Sequence, residues 1–257
     1  MSPLFSKVTG CIVLLAAATA FSAETLVHTS NWETLSYEAQ QFPQDAPSPW
    51  SSVESSNSSY TNGTRQILEG EFFNVNTMGV NKQHRYAIGI PTLNRSGDGY
   101  LVNIRMALVQ NEKNMSGGNP IGRTDTAFEV FISDSMDGTD GQSYLVGIDN
   151  VSVGTSFVQG TAPRTNVTFS TLFTGYNTRT QNVYTIKRNA SELDVYVNGH
   201  LLFRDTGFTS TVSGSVLSSK IEFGDRATSY DCEFALDYLR GGQAYIPPPS
   251  GTLILFY

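Results

Sequence analysis

The sequence predicts an all-β chain folded as a two-sheet antiparallel β-sandwich of jelly-roll form. Three observations lead there. Short segments alternate apolar and polar residues with a period of two, clusters of Gly, Asn, Asp and Ser separate them, and beyond the N-terminal leader no amphipathic helical stretch of about 15 residues interrupts the series. With no helix to cover a sheet, two sheets must cover each other.

The chain begins with "MSPLFSKVTGCIVLLAAATAFSAE", in which Lys7 precedes an apolar run and small residues follow at Ala18 and Ala20. This is the pattern of a cleavable secretory signal over residues 1–23, and it predicts a secreted protein, extracellular or held at the cell surface. Cleavage removes Cys11 and leaves Cys232 alone, so no disulfide within the mature chain is expected. Cys232 sits beside a strand pattern and is expected to be buried. No later run approaches the ~20 apolar residues of a membrane span.

Residues 24–66 are rich in Ser, Pro and Asn and hold no sustained period, which predicts an irregular leading segment with room for one early strand. The sandwich itself is expected over residues 67–245, and a Pro-rich apolar tail over 246–257. Seven Asn-x-Ser/Thr sequons, at Asn57, Asn62, Asn94, Asn114, Asn150, Asn166 and Asn189, point weakly to exposed loops.

Within the sandwich, "GYLVNIRMALVQ" sets Val102, Ile104, Met106 and Leu108 on one side, with Asn103 and Arg105 on the other. "TAFEVFISD" repeats the pattern with Phe128, Val130 and Ile132 opposite Glu129 and Phe131. "NVTFSTLF", "NVYTIKR", "ELDVYV", "HLLFRD", "KIEFGD" and "CEFALDYLR" continue it. Asn198-Gly199 joins "LDVYV" to "HLLFRD" and is the strongest hairpin signal, because both residues tolerate the positive φ of a tight turn.

The stretch "YTIKRNASELDVYVNGHLLF", followed by "IEFGDRATSYDCEFALDYLR", resembles the closing half of concanavalin A-like lectin and glucanase jelly rolls, laminin G-like domains among them. The resemblance covers about residues 182–240. It implies the sandwich fold and carbohydrate as the ligand class, and it says little about activity. The tail "IPPPSGTLILFY" is weakly similar to a truncated bacterial PEP-type sorting signal, with Pro248 standing where Glu is expected.

Glucanases of that superfamily carry their acids on one strand as E-x-D-x-E, since alternation sends every second side chain into the cleft. Here "ELDVYV" starts correctly at Glu192 and Asp194, then offers Tyr196 and Val197. "FEVFISD" offers Glu129 and then Phe131. The family's hydrolytic residues therefore do not transfer, and no catalytic residue is assigned. Acids from separate strands, drawn from Glu129, Asp194, Glu222 and Glu233, keep a hydrolase or lyase open as the alternative.

Other classes find no support. The 23 acidic residues outnumber 16 basic ones, a net charge of -7 that repels a polyphosphate backbone. His28, His84 and His200 stand in unrelated contexts without zinc-ligand spacing, and neither a G-x-S-x-G elbow nor a phosphate loop occurs.

Binding a sugar requires less than cutting one: an aromatic face and a few carboxylate, amide or guanidinium groups. The expected ligand-binding set is Arg105, Glu129, Glu192, Asp194 and Tyr196, on outward strand faces. Trp32 and Trp50 in the leading segment are further platforms, and core packing is the competing reading for every one of these aromatics. In "SDSMDGTDGQS", Asp134, Asp137 and Asp140 fall in one Gly-containing loop that would suit Ca2+, although Asp-Gly pairs also make ordinary turns. No other cofactor is expected. The sequence thus points to a non-catalytic carbohydrate-binding or adhesion module, with a structural surface protein lacking a small ligand as a further alternative.

Overall fold

A computed structural model of the chain describes residues 35–46, 51–53, 64–78, 84–89, 93–113, 128–136, 140–148, 152–157, 165–168, 177–206, 219–225 and 230–243. The expected signal peptide, the C-terminal tail, Trp32, Trp50 and Asp137 lie outside the described residues.

The strands, in chain order, are β1 (Leu35–Glu38), β2 (Ser51–Val53), β3 (Thr64–Leu68), β4 (Phe72–Asn76), β5 (His84–Gly89), β6 (Tyr100–Lys113), β7 (Phe128–Met136) and β8 (Asp140–Ile148). They continue as β9 (Ser152–Phe157), β10 (Thr165–Thr168), β11 (Asn182–Arg188), β12 (Leu193–Val197), β13 (His200–Asp205), β14 (Lys220–Asp225) and β15 (Tyr230–Gln243). A single 3-10 turn, Pro43–Asp45, is the only helical element among the described residues, none of which forms a helix long and apolar enough to cross a membrane.

The strands pair into two antiparallel sheets. The first runs β13-β12-β11-β6-β15-β4-β3, with β1 also on β15, and the second runs β10-β9-β8-β7-β14-β5-β2. The protein is therefore an all-β, two-sheet jelly-roll sandwich. The leading segment, expected to be largely irregular, supplies β1, β2 and the start of β3, so it contributes to both sheets. These strands are only three to five residues long, too short to display a period of two.

Alternation explains the packing. Val102, Ile104, Met106 and Leu108 of β6 face Phe128, Val130 and Ile132 of β7 across the interior, all fully buried. Between them lies an aromatic cluster in which Phe128 meets Phe234 edge-on at 4.8 Å and Phe73 meets Tyr86 at 5.4 Å. Cys232 is buried in the same core, where loss of solvation holds its thiol well above the ordinary range.

The expected hairpin is present. Asn198 and Gly199 adopt φ of 49° and 83°, and the Asn198 side chain accepts the Val183 N–H at 2.8 Å, tying the turn to β11.

Candidate functional site

The side chains expected to bind ligand do not share one surface. Arg105, Asp194 and Tyr196 point outward from the first sheet, whereas Glu129 points outward from the second, on the far side of the sandwich. On the first sheet, Arg204 grips Asp194 with two parallel bonds, Nε to Oδ1 at 2.8 Å and Nη2 to Oδ2 at 2.9 Å. Tyr196 donates its hydroxyl to the same carboxylate at 3.2 Å and is 0 % exposed, so it is no open platform as it stands. Its strand position was legible; its cover was not. Glu192 lies at the margin, 4.0 Å from Arg204, and Arg105 is half-exposed and pairs with Asp237 at 2.7 Å. These contacts hold the sheet surface together.

The proposed calcium loop changes character as well. Asp134 belongs to β7 and turns into the interior, where it accepts Arg95 Nη1 at 2.7 Å and the Tyr100 hydroxyl at 2.5 Å. Tyr100 and Tyr144 share a further bond at 2.8 Å, and Arg188 reaches Gln142 Oε1 at 2.5 Å. Burial first, and then the Asp134 charge, hold both tyrosine hydroxyls far above their usual titration range. Asp134 is thus consumed by a sealed network, with Asp140 placed at the start of the partner strand β8. Among the described residues no group of three or more His, Cys, Asp or Glu is arranged to hold a metal.

The outward face of the second sheet gathers a different set. Register lays out three rows across the strands. Arg85, Gly224, Glu129, Gly147 and Gly154 form the first. Ala87, Glu222, Phe131, Leu145 and Ser156 form the second, and Gly89, Lys220, Ser133 and Ser143 the third. Glu129 and Glu222 are diagonal neighbours on adjacent strands, so two carboxylates from separate parts of the chain share one surface.

Glu222 carries a cation on each oxygen. Lys220 Nζ donates to Oε1 at 2.6 Å and Arg85 Nη1 to Oε2 at 3.2 Å. The same ammonium stands 5.0 Å from the centre of the Phe131 ring. Glycines on both sides of Glu129 remove side-chain bulk from its row. At Gly224, with φ of 130°, an added Cβ would come within 2.3 Å of the His84 carbonyl oxygen, so only glycine permits that close approach of β5 and β14.

Although alternation turns them away from the core, Glu129, Phe131, Ser133, Ser143, Leu145 and Glu222 are all buried. The Ser133 and Ser143 hydroxyls, directly opposite each other in the β7–β8 ladder, have no hydrogen-bond partner, and neither does Arg85 Nε. Polar atoms left unpaired in a shielded place each cost about 1–3 kcal/mol. Three of these atoms lie on this face, and Gln181 Oε1, Tyr184 Oη, Arg188 Nε and Asp205 Oδ2 likewise lack a hydrogen-bond partner elsewhere among the described residues. The sequence singled out Glu129 and Glu222 as acids but gave no hint of the serines, because their pairing depends on the β7–β8 register.

The chain matches no protein-family model and no curated protein. Among solved structures it is similar to a β-glucanase of Bacillus licheniformis, at 14 % identity over 82 % of this chain and 98 % of that one, with a TM-score of 0.48. It is also similar to the catalytic domain of an endo-1,3-β-glucanase (laminarinase) from Thermotoga petrophila RKU-1, at 12 % identity over 80 % and 95 % of the two chains and a TM-score of 0.46. A third is the VIP36 exoplasmic/lumenal domain in its Ca2+/Man-bound form, at 8 % identity over 73 % and 83 % and a TM-score of 0.41. The fold stands on the strand pairing described above, and identities this low bear on nothing finer.

Proposed function

We propose that this protein is a secreted module that binds carbohydrate through the outward face of the β7, β8 and β14 strands, without cutting it. One observation carries the reading: two shielded serine hydroxyls and an arginine Nε lack partners on a face that also holds Glu129, Glu222 and Lys220. A sugar offers hydroxyl donors and acceptors at close spacing, and such a ligand satisfies groups of this kind in pairs. Phe131, under the movable end of Lys220, supplies an apolar ring once that side chain swings aside.

The second reading, a hydrolase, is favoured by one specific feature, the shared face of Glu129 and Glu222. Against it, both Glu222 oxygens already accept cations, which leaves none to donate a proton to a leaving group.

Screening on a glycan array, together with an assay of reducing-sugar release from mixed polysaccharides, separates the readings. Binding without release supports the module, and release supports the hydrolase. Silence in both supports a structural surface protein.

A further inference from the structure

We infer that the outward face of the first sheet carries a second glycan contact, in which Val109, Gln110, Glu233 and Gln66 meet an extended oligosaccharide and Asn74 and Asn76 hold them in place. The patch lies on the opposite side of the sandwich from the face proposed above and uses none of its residues. The two surfaces share only the class of ligand.

Glu233 is the centre of the patch. Its Oε1 accepts Asn74 Nδ2 at 3.1 Å, and its Oε2 accepts Asn76 Nδ2 at 3.1 Å and Gln110 Nε2 at 2.8 Å. A carboxylate only accepts, so each amide must turn its nitrogen inward and its oxygen away. Asn76 confirms the orientation, since its Oδ1 accepts the Met78 N–H at 2.9 Å. Asn74 passes the order outward: with its Nδ2 on Glu233 and on the Phe234 carbonyl, its Oδ1 faces Gln66 Nε2 at 3.5 Å. The exposed Gln110 and Gln66 therefore both present Oε1 away from the cluster, and Glu233 Oε1 keeps a lone pair.

Next to Gln110 stands Val109, 41 % exposed and the one exposed large apolar side chain among the described residues. The ladder places it at a bulge: Gln110 pairs with Glu233 and Leu108 with Phe234, so Val109 has no residue opposite it. Acceptors beside a small apolar surface match the hydroxyl rim and C–H face of a sugar.

Sheet stability does not call for this arrangement. Backbone ladders already join β6, β15, β4 and β3, and water would satisfy exposed amides nearly as well as Glu233 does. Fixing such side chains costs conformational entropy, a cost that a ligand then no longer meets on binding. Gln110, Glu233, Asn74 and Gln66 sit on four adjacent strands, so the array spans about 14 Å, which suits a chain of sugars better than a single ring.

Nuclear magnetic resonance of the isotope-labelled full chain tests this directly, with neutral glucan, galactan and mannan oligosaccharides as probes. The side-chain amide signals of Gln110, Gln66, Asn74 and Asn76 are expected to shift with at least one probe, and its monosaccharide is expected to bind at least about tenfold more weakly. Gln110→Ala, a change at an exposed position, and Glu233→Gln are each expected to weaken binding at this patch about tenfold. Shifts confined to β7, β8 and β14 overturn the second contact and leave the first face standing. Shifts confined to the amide cluster support the second contact and remove the first face. Amide signals that stay still with every probe, or unchanged affinity at the patch in both variants, overturn the inference.

Discussion

Asp134 accepts the Arg95 guanidinium at 2.7 Å with both side chains sealed between the two sheets. Removing one member of such a pair strands the other's charge in a dry interior, which typically costs about 3–5 kcal/mol. Asp134→Ala is therefore expected to lower unfolding stability by that amount in urea titrations. The loss should be the same with and without added Ca2+, because the carboxylate is occupied by Arg95 and Tyr100. A Ca2+-dependent difference between wild type and variant would return Asp134 to the list of metal ligands.

Gly224 offers a test of backbone fit. At φ of 130° its missing Cβ leaves room for the His84 carbonyl, which would otherwise stand 2.3 Å away. Gly224→Ala must push β5 and β14 apart or distort both, at an expected cost of about 2 kcal/mol or more. Thermal denaturation should show a clear drop in Tm, whereas Gly97→Ala, where a Cβ meets nothing within 4 Å, should lose only what its φ of 61° imposes. Equal losses at the two sites would mean that strain in φ alone, and not the close strand approach, explains Gly224.

His84 gives the fold a pH dependence of defined sign. Burial, and then the nearby Arg65 charge, lower its pKa to about 4, and its Nε2 lies 2.9 Å from the Tyr86 hydroxyl. The unfolded imidazole titrates near 6.5, so the stabilisation is complete above about pH 6.5 and is lost as the pH falls toward 4. The full effect amounts to about 3 kcal/mol. Urea titrations at pH 7, 5.5 and 4 should show this fall in the wild type and a flatter profile in His84→Gln. Other groups titrate in the same window, among them the acids of the chain, and only the difference between the two proteins reports on His84.

Most of the architecture was legible because alternation is local. The β6, β7, β11, β12 and β13 strands and the Asn198-Gly199 turn each follow from one short run of neighbouring residues. What alternation does not encode is which strands become neighbours. Arg105 and Glu129 read alike, as charges on the polar side of a strand, yet they emerge on opposite sides of the sandwich. Tyr196 reads as an exposed aromatic, yet its hydroxyl closes onto Asp194 beneath Arg204. The meeting of Glu129 with Glu222 required β14 to insert between β5 and β7, a long-range pairing that no window of sequence contains. Asp134 was misplaced for a simpler reason: β7 runs on to Met136, so a residue assigned to a loop by its Asp-Gly surroundings belongs to a strand.

The two opposed serines allow a prediction in which stability and function move in opposite directions. Each hydroxyl of Ser133 and Ser143 is shielded and unpaired, so deleting it removes a cost and leaves only a small void. Ser133→Ala and Ser143→Ala are each expected to leave stability unchanged or raise it by about 1 kcal/mol, unlike most buried substitutions. If the face binds carbohydrate as proposed, the same hydroxyls would meet sugar oxygens, and each variant is expected to weaken glycan binding by about tenfold, the effect of losing one hydrogen bond of about 1 kcal/mol or somewhat more. Paired urea titrations and calorimetric binding on the two variants check both halves at once. Destabilised variants would mean that the hydroxyls already have partners in the free protein. Variants of normal stability and normal affinity would remove the serine pair from the binding face.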